Sequence, residues 1–349
     1  MAASPKIRHF TEPPAITRNR PYLDPVSGVQ YAGQPKRRQP MTNQYDRGAE
    51  DIGNIVGLEH VNLQIADQGL ATVFYMSGLG LTRDPYMMTS IDNMWVNVGR
   101  SQFHLPTGTA QKLRGHIGLV IPDRAALLAR LARVGKLLEG TQFAFTEHAN
   151  HVEAICPWGN RFLCHDPVSR AGQIVLGMAY VSFDVPVGAA SGIADFYRRL
   201  FDTPASVDKS TARVSVGMGQ ELLFRETEAP LAAYDGHHIQ VYVANFSAPH
   251  RKLLERGLIT EESNQYQYRF DSIVDPASGK ALVQVEHEVR SMTHPLYARP
   301  LVNHNPQQTN RNYVQGRDAW VPDAMTGEMD DPRVAMRQKR FDKAARRRA

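Results

Sequence analysis

The feature that most constrains the fold is a stretch that recurs four times along the chain. It reads LEHVNLQIAD at 58–67 and RGHIGLVIPD at 114–123, and it returns in weaker form as GMAYVSFDVP at 177–186 and GHHIQVYVAN at 236–245. Within each copy apolar residues alternate with others, which is typical of a β-strand that buries one face. A helical pattern and further short strands follow each copy. The repeating unit is therefore one strand, one helix and about three strands, in roughly 55 residues.

The helical patterns sort the four units into two pairs. The first and third copies share an aromatic signature, VFYMSGLGL and DFYRRLFDT, whereas the second and fourth share LLARLARVG and KLLERGL. This alternation indicates that a pair of units was duplicated, so we expect two similar domains in tandem, at 52–170 and 175–295. The expected modules are 55–110 and 112–170 in the first domain, and 177–230 and 235–292 in the second.

The two ends of the chain show no sustained periodicity. Residues 1–51 are rich in Pro, Arg, Gln, Asn and Gly, which predicts a disordered or surface-lying arm. Residues 296–349 predict an extended tail, in which Tyr297, Tyr313 and Trp320 offer contacts to the body or to a second subunit. The basic end, RQKRFDKAARRRA, is more typical of a solvated terminus than of a nucleic-acid contact.

Composition places the chain among ordinary globular proteins. It has 349 residues, 42% of them hydrophobic and 21% charged, and a net charge of +5. No apolar run reaches the roughly 18 residues of a membrane span, and the N-terminus lacks the apolar core of a secretory signal. We therefore expect a cytoplasmic protein with no membrane partner and no nucleic-acid partner. Cys156 and Cys164 have neither zinc-site nor disulfide-framework spacing, so we interpret them as reduced packing residues.

Histidines occupy matching positions in the repeat. The aligned position of the four copies holds His60, His116, Tyr180 and His238, and a further strand, QFHLP, carries His104. A single histidine on a strand is usually a half-buried, hydrogen-bonded residue. If the strands share one curved sheet, however, His60, His104 and His116 face a common hollow. Neutral imidazole binds Fe(II), Mn(II), Ni(II) or Zn(II), and three protein ligands with open positions are typical of a catalytic site.

The residues LEHVNLQIAD…FYMSGLGL, GHIGLVIPD and CPWGNRFLCHDP resemble the vicinal oxygen chelate superfamily, which includes glyoxalase I, bleomycin-resistance proteins and extradiol dioxygenases. The resemblance covers about residues 55 to 290. It implies an α+β fold in which two βαβββ modules wrap into a cup-shaped sheet, so that the tandem modules form two cup-shaped domains. It also implies a divalent metal held by the first and last strands of each module.

Carried over to this chain, the resemblance implies His60, His104 and His116 as metal ligands. Leu163 stands where the family usually has a glutamate, and His165, two residues on, is the expected fourth ligand. In the second domain the weaker candidates are His238 and Glu286, with Glu288 as an alternative on the same strand face. Because Tyr180 poorly replaces a histidine, that domain is expected to be structural or to shape the substrate site.

The implied function is a metal-dependent dioxygenase of the extradiol type, acting on a small oxygenated organic substrate. Fe2+ is the expected ion, with Mn2+, Ni2+ and Zn2+ as alternatives. A glyoxalase-type isomerase or lyase is a second possibility, and a non-catalytic protein that sequesters a small molecule is a third. The sequence assigns no catalytic side chain and no organic cofactor, and it leaves open whether the chain forms a homo-oligomer.

Overall fold

The computed structural model describes residues 46–85, 92–167, 174–217, 219–299 and 301. Four βαβββ modules follow one another along these residues, which confirms the repeat seen in the sequence. A short 3-10 turn, Gly48–Glu50, precedes them. The arm predicted for 1–51 and the tail predicted for 296–349, with its basic end, Tyr313 and Trp320, lie largely outside the described residues.

The modules have closely similar element orders. Module one contains β1 (Ile55–Asn62), α1 (Gln68–Ala71, continued by a π-helical segment Thr72–Gly78), β2 (Thr82–Arg83), β3 (Asn93–Val98) and β4 (Ser101–Pro106). Module two contains β5 (Gly115–Val120), α2 (Arg124–Val134, continued by a 3-10 turn Gly135–Leu138), β6 (Ala144–Glu147), β7 (Val152–Ile155) and β8 (Arg161–His165). Module three contains β9 (Gly177–Pro186), α3 (Ala190–Phe201), β10 (Ala205–Asp208), β11 (Thr211–Ser215) and β12 (Glu221–Thr227). Module four contains β13 (His238–Val243), α4 (Ser247–Leu254), β14 (Ile259–Asn264), β15 (Gln267–Val274) and β16 (Ala281–Ser291).

In three modules the last residue of the repeated stretch supplies a helix N-terminal hydrogen bond. Asp67 accepts from the backbone N–H of Leu70 at 2.8 Å, and Asp123 accepts from that of Ala126 at 3.0 Å. Asn245 makes the corresponding bond to Ala248 at 3.2 Å. Short polar side chains at this position satisfy an amide that the helix itself leaves unpaired. The repeat therefore encodes the strand and also the point at which the helix begins.

The sixteen strands form two eight-stranded mixed sheets. The first has the order β14-β15-β16-β13-β1-β4-β3-β2, and the second has the order β10-β11-β12-β9-β5-β8-β7-β6. Within each module the first strand pairs in parallel with the last strand. The modules then join through their first strands, which pair antiparallel as β1 with β13 and as β5 with β9. We call the sheet of modules one and four the first cup, and the sheet of modules two and three the second cup.

This arrangement corrects the expected composition of the cups. The sequence pairs module one with module two, whereas the sheet hydrogen bonds join module one to module four and module two to module three. Modules one and two do share a core on the helical side, where Phe74 lies 5.5 Å from Phe162 and 6.1 Å from Phe143 between ring centroids. Modules one and two thus pack against each other through helices and aromatic rings. Each sheet, in contrast, joins one of these modules to a module from the second half of the chain. The tandem division at 52–170 and 175–295 stays a prediction.

The aromatic residues of the two shared helical signatures are buried, and so are both cysteines. Phe74 and Tyr75 in module one, and Phe196 and Tyr197 in module three, are fully buried in the hydrophobic core. Cys156 and Cys164 are free and buried. Burial raises the pKa of the Cys164 thiol to about 12, as expected for an unreactive packing residue. None of the helices in the described part of the chain is long and apolar enough to cross a bilayer.

Candidate metal centre

The concave face of the first cup brings together two histidines and a glutamate from three adjacent strands. His60 lies on β1, His238 on β13 and Glu288 on β16, and one ligand atom from each lies within 4.8 Å of the others. All three are buried, with His60 1% and Glu288 3% exposed. Two imidazoles and one carboxylate on one face form the donor set that non-haem Fe(II) enzymes use.

His104 on β4 stands next to this group. Its ring centroid lies 5.9 Å from that of His60, and it stacks on the indole of Trp95 at 3.9 Å. Trp95 also meets His60 edge-on at 4.9 Å. The tryptophan therefore packs against both rings and restricts their rotation. Trp95 was not among the residues predicted from the sequence, although Trp95 and Asn97 lie on the same face of β3.

Sheet register makes His104 and Glu288 equivalent. His104 lies opposite Asn62, two residues after His60, and Glu288 lies opposite Gln240, two residues after His238. The first strands of the two modules thus contribute histidines, and the last strands contribute a histidine in one module and a glutamate in the other. These are four pseudo-symmetric positions around one centre.

Each first-strand histidine has a carboxylate behind it. Nδ1 of His60 lies 3.2 Å from Oε2 of Glu59, and Nδ1 of His238 lies 3.4 Å from Oε1 of Glu286. A carboxylate at Nδ1 favours the tautomer that carries its proton there and leaves a lone pair on Nε2. Among the described residues, Nε2 of His60, of His238 and of His104 is buried with no hydrogen-bond partner. Three unpaired imidazole nitrogens in one hollow fit a metal ion.

The environment keeps the imidazoles of His104 and His238 neutral. Burial, together with the charges of His60, Arg290 and Arg269, lowers the pKa of His104 to about 2. Burial likewise lowers the pKa of His238 well below its usual range, with His60 and Arg269 adding to the effect. A neutral imidazole is the form that binds a metal, so these two side chains are ready to bind at physiological pH.

Two guanidinium groups hold the carboxylates in place. Arg269 contacts both Glu286 and Glu288, and Arg290 reaches Oε1 of Glu288 at 2.6 Å and Oε2 of Glu59 at 2.9 Å. The two guanidinium groups therefore fix the positions of Glu59, Glu286 and Glu288 around the hollow. A carboxylate oxygen has two lone pairs, so Glu288 can accept from an arginine and still bind a cation.

The spacing is somewhat wider than that around a bound ion. Donor atoms on one face of a first-row metal are about 3.0 to 3.5 Å apart, because each bond is about 2.0 to 2.2 Å long. The ligand atoms of His60, His238 and Glu288 lie within 4.8 Å of one another, and Nε2 of His238 lies 3.8 Å from Oε2 of Glu288. The three side chains would therefore have to approach one another to bind an ion.

Gln240 adds a polar group that the sequence did not single out. It lies on β13 two residues after His238, hence on the same face, and it is fully buried. Both its amide nitrogen and its amide oxygen lack a hydrogen-bond partner in the described part of the chain. A buried amide with both groups unpaired costs free energy unless a ligand or water satisfies it.

The chain after β16 folds back over the same sheet. The Tyr297 ring lies 4.8 Å from that of Tyr242, and Arg299 pairs with Asp84 at 2.5 Å. Farther on, the carbonyl of Leu301 accepts from Asn97 at 3.3 Å. We call this part, residues 292–299 with Leu301, the covering segment. It lies against β13, which carries His238, and against β3, which carries Trp95, in agreement with the expected contact of Tyr297 with the body.

The predicted ligands are divided between the two cups. His60, His104, His238 and Glu286 lie in the first cup, while His116 and His165 lie in the second. The expectation that His116 shares a hollow with His60 does not hold, because β5 pairs with β9 and not with β1.

In the second cup, Nε2 of His165 lies 3.0 Å from the hydroxyl oxygen of Tyr180.

The sequence contains one indication that module one pairs with module four. Copies one and four of the repeat share a histidine followed two residues later by an amide, as His60-Val61-Asn62 and His238-Ile239-Gln240.

Comparisons with known proteins give the fold but no close relative. No protein-family model matches the chain, and no curated protein matches it. Among solved structures, it resembles a putative dioxygenase from Bacillus subtilis subsp. subtilis str. 168, with a TM-score of 0.50 and 14% identity over 82% of this chain and 96% of that one. It also resembles glyoxalase I from Zea mays, with a TM-score of 0.50 and 12% identity over 68% of this chain and 92% of that one. At these identities the likeness concerns the fold alone.

Proposed function

This chain has the fold of the vicinal oxygen chelate superfamily, and from that we propose that it is a metal-dependent enzyme centred in the first cup. His60, His238 and Glu288 hold a divalent ion, with Fe2+ the expected one and Mn2+, Ni2+ or Zn2+ as alternatives. The reaction is of the dioxygenase type, on a small oxygenated organic substrate. The predicted set was His60, His104, His116 and His165, with His238 and Glu286 as weaker candidates and Glu288 as an alternative. The proposed set keeps His60 and takes His238 and Glu288 from those weaker candidates.

One observation carries the proposal. His60 and His238 present unpaired Nε2 atoms to Glu288 in a buried hollow, and all three ligand atoms lie within 4.8 Å. A purely structural histidine pair would satisfy these nitrogens within the protein. Both Nδ1 atoms face carboxylates, an arrangement that typically orients metal-binding histidines and increases their basicity.

The number of protein donors separates the two enzyme classes. With three protein donors, an ion would keep room for a substrate that binds through two vicinal oxygens and for one further small molecule. Four donors leave room for the substrate alone, as a glyoxalase-type isomerase or lyase requires. Nε2 of His104 is also unpaired among the described residues, but His104 is stacked on Trp95 and is not one of the three residues whose ligand atoms lie within 4.8 Å of one another. We therefore count three donors, which favours the dioxygenase class.

When bound, a divalent ion supplies a Lewis acid that stabilises negative charge developing on substrate oxygens. The chain supplies the remaining functions. Glu59 and Glu286 keep the proton of each histidine on its own Nδ1 atom and fix the orientation of the two rings. The unpaired amide of Gln240 donates to, and accepts from, polar groups of the substrate. The covering segment limits the access of water. Two buried free cysteines are consistent with a reducing compartment, which supports the proposed cytoplasmic location.

Metal analysis of matched variants tests this assignment. The purified chain, supplied with Fe2+ under anaerobic conditions, is expected to bind one ion. The double variant His60→Gln, His238→Gln should lose it, whereas the control His116→Gln, His165→Gln, from the other cup, should retain it. Retention of a full equivalent by the first variant contradicts the centre.

Activity assays then distinguish the classes of function. Catechols, hydroxyquinones and thiohemiacetals are offered to the metal-loaded chain with and without oxygen. Oxygen-dependent turnover supports a dioxygenase, and oxygen-independent turnover of thiohemiacetals supports the glyoxalase type. A chain that binds no metal yet binds small molecules would instead be the sequestering protein that the sequence left open.

A further inference from the structure

The second cup contains a cavity of about 610 Å³ on its concave face. It is bounded by His116, Tyr180, Arg213, Leu223 and Arg225, among other residues. This volume lies within the range of small-molecule sites, about 300 to 1,000 Å³. The cavity is separate from the metal centre because its lining residues belong to the other sheet.

The second cup has lost the donors that the first cup keeps. The sheet register identifies the positions of the second cup that are equivalent to the four around the metal centre, because the last-strand residue lies opposite the residue two places after the first-strand one. These positions hold His116, Leu163, Tyr180 and Leu223. Two leucines and a tyrosine in these places leave one imidazole, which does not make a chelating set. Whatever this cup binds, it binds without a metal at the pseudo-symmetric position.

We infer that the second cup is a binding site for a small organic anion, an aromatic or similarly flat molecule with a carboxylate or phosphate group. Arg213 on β11 and Arg225 on β12 both line the cavity, and none of the described residues that line it is acidic. Guanidinium groups recognise both types of oxyanion with paired N–H donors.

Two carboxylates that do not line the cavity hold the two arginines in position. Nη1 of Arg213 pairs with Glu221 at 3.2 Å, and Nη2 of Arg225 pairs with Asp184 at 3.1 Å. Each guanidinium has five N–H donors, so one such ion pair leaves others for a ligand. The outer carboxylates thus hold the side chains in position without filling the cavity.

His116 is the second, independent indication of a ligand. It is 9% exposed, lines the cavity, and its Nδ1 is buried with no hydrogen-bond partner among the described residues. An N–H or lone pair there costs free energy in the ligand-free protein, and a polar ligand group would relieve it. Tyr180 and Leu223 offer apolar surface beside it for the body of the ligand.

Calorimetric titration of the full-length chain tests the inference with three matched probes: benzoate, phenyl phosphate and neutral benzyl alcohol. We expect one or both oxyanions to bind, with affinity that falls as salt is added, and benzyl alcohol not to bind. The stronger of the two oxyanions identifies the preferred group. The double variant Arg213→Gln, Arg225→Gln should bind the preferred probe at least tenfold more weakly.

Control variants separate this site from the metal centre and from loss of folding. Arg198→Gln, in an exposed ion pair with Asp195 outside the cavity, should bind normally. The variant His60→Gln, His238→Gln should also bind normally, so this result does not depend on the proposed enzyme. Leu223→Trp fills the cavity without changing its charge and should abolish binding with an unchanged circular dichroism spectrum.

Three results would overturn the inference. One is the absence of binding by both oxyanions at millimolar concentration. Another is equal binding of benzyl alcohol. The last is unchanged affinity in a folded Arg213→Gln, Arg225→Gln variant.

Discussion

Glu59 and His60 are neighbours in the chain, yet their side chains meet on the same face of the first cup, with Oε2 of Glu59 3.2 Å from Nδ1 of His60. Successive residues of a regular strand point to opposite faces. The β1–β13 register shifts between Leu58 and His60, and such an irregularity re-aims a side chain. Leu58 and Val61 therefore both remain in the core, and the two residues between them both face the hollow.

This pair gives the first prediction, that Glu59→Gln weakens metal binding. Burial would raise the pKa of Glu59, but the hydrogen bond from His60 and the charge of Arg290 hold it at about 2, so it is a carboxylate at neutral pH. Loss of an outer-shell carboxylate typically lowers metal affinity about 10- to 100-fold. Competition with a chromophoric chelator measures it, and Glu147→Gln, at an exposed ion pair, is the control. An unchanged dissociation constant would show that Glu59 does not orient His60.

Gln240→Leu should separate stability from substrate binding. Its amide makes no hydrogen bond among the described residues, so an apolar side chain of similar size should leave the free energy of unfolding unchanged or raise it. If the amide contacts the substrate, KM should rise about fivefold or more, since a lost hydrogen bond is worth about 1 kcal/mol or more. Urea unfolding and steady-state kinetics test the two parts. A marked loss of stability would mean that the amide is paired within the protein.

Arg299→Ala should release the covering segment. Asp84 is fully buried and pairs with Arg299 at 2.5 Å, so its charge would be left without this partner. Removing one partner of a buried pair costs roughly 3 to 5 kcal/mol, whereas Arg198→Ala, at an exposed pair, should cost less than about 1 kcal/mol. Urea unfolding compares them, and faster metal exchange with a chelator is expected only in the first. Equal effects would show that the segment contributes little.

Gly118→Ala should disrupt the second cup. A Cβ there would lie 2.0 Å from a ring carbon of Tyr180, which must then move away from His165. Such overpacking costs about 1 to 3 kcal/mol. Gly57→Ala on β1 is the matched control, because a Cβ there has nothing within 4 Å, and it should stabilise by roughly 0.5 to 1 kcal/mol. Thermal unfolding measures both, and a neutral effect of Gly118→Ala would contradict the close contact.

Acid should destabilise the protein in part through His116. Burial, with a contribution from Arg225, lowers its pKa from 6.5 to about 4 in the folded state. Between pH 6.5 and about pH 4, His116 is protonated in the unfolded chain but not in the folded chain. The stabilisation that neutral His116 provides is therefore fully present above pH 6.5 and is lost as the pH falls toward 4. The resulting loss in the free energy of unfolding is about 3 kcal/mol.

The comparison of variants isolates this histidine. The free energy of unfolding of His116→Gln should fall less steeply between these two pH values than that of the unaltered protein. His148→Gln, at a side chain that is 43% exposed, is the control and should leave the slope unchanged. Parallel curves for His116→Gln and the unaltered protein would contradict the predicted protonation.

The sequence by itself determined the local elements. Alternation and the fourfold recurrence predict the modules and the α+β class, as the structure confirms. His60 and His104 come from one such unit and meet in one cup, because β1 and β4 pair within the module.

Only the tertiary structure decided which modules share a cup. The first strand of each module has one edge left for a partner, and all four first strands have similar alternation, so alternation alone does not distinguish β1–β13 from β1–β5. That choice depends on contacts between residues far apart in the chain. It brings His238 and Glu288 to His60, and it leaves His116 facing a different cavity.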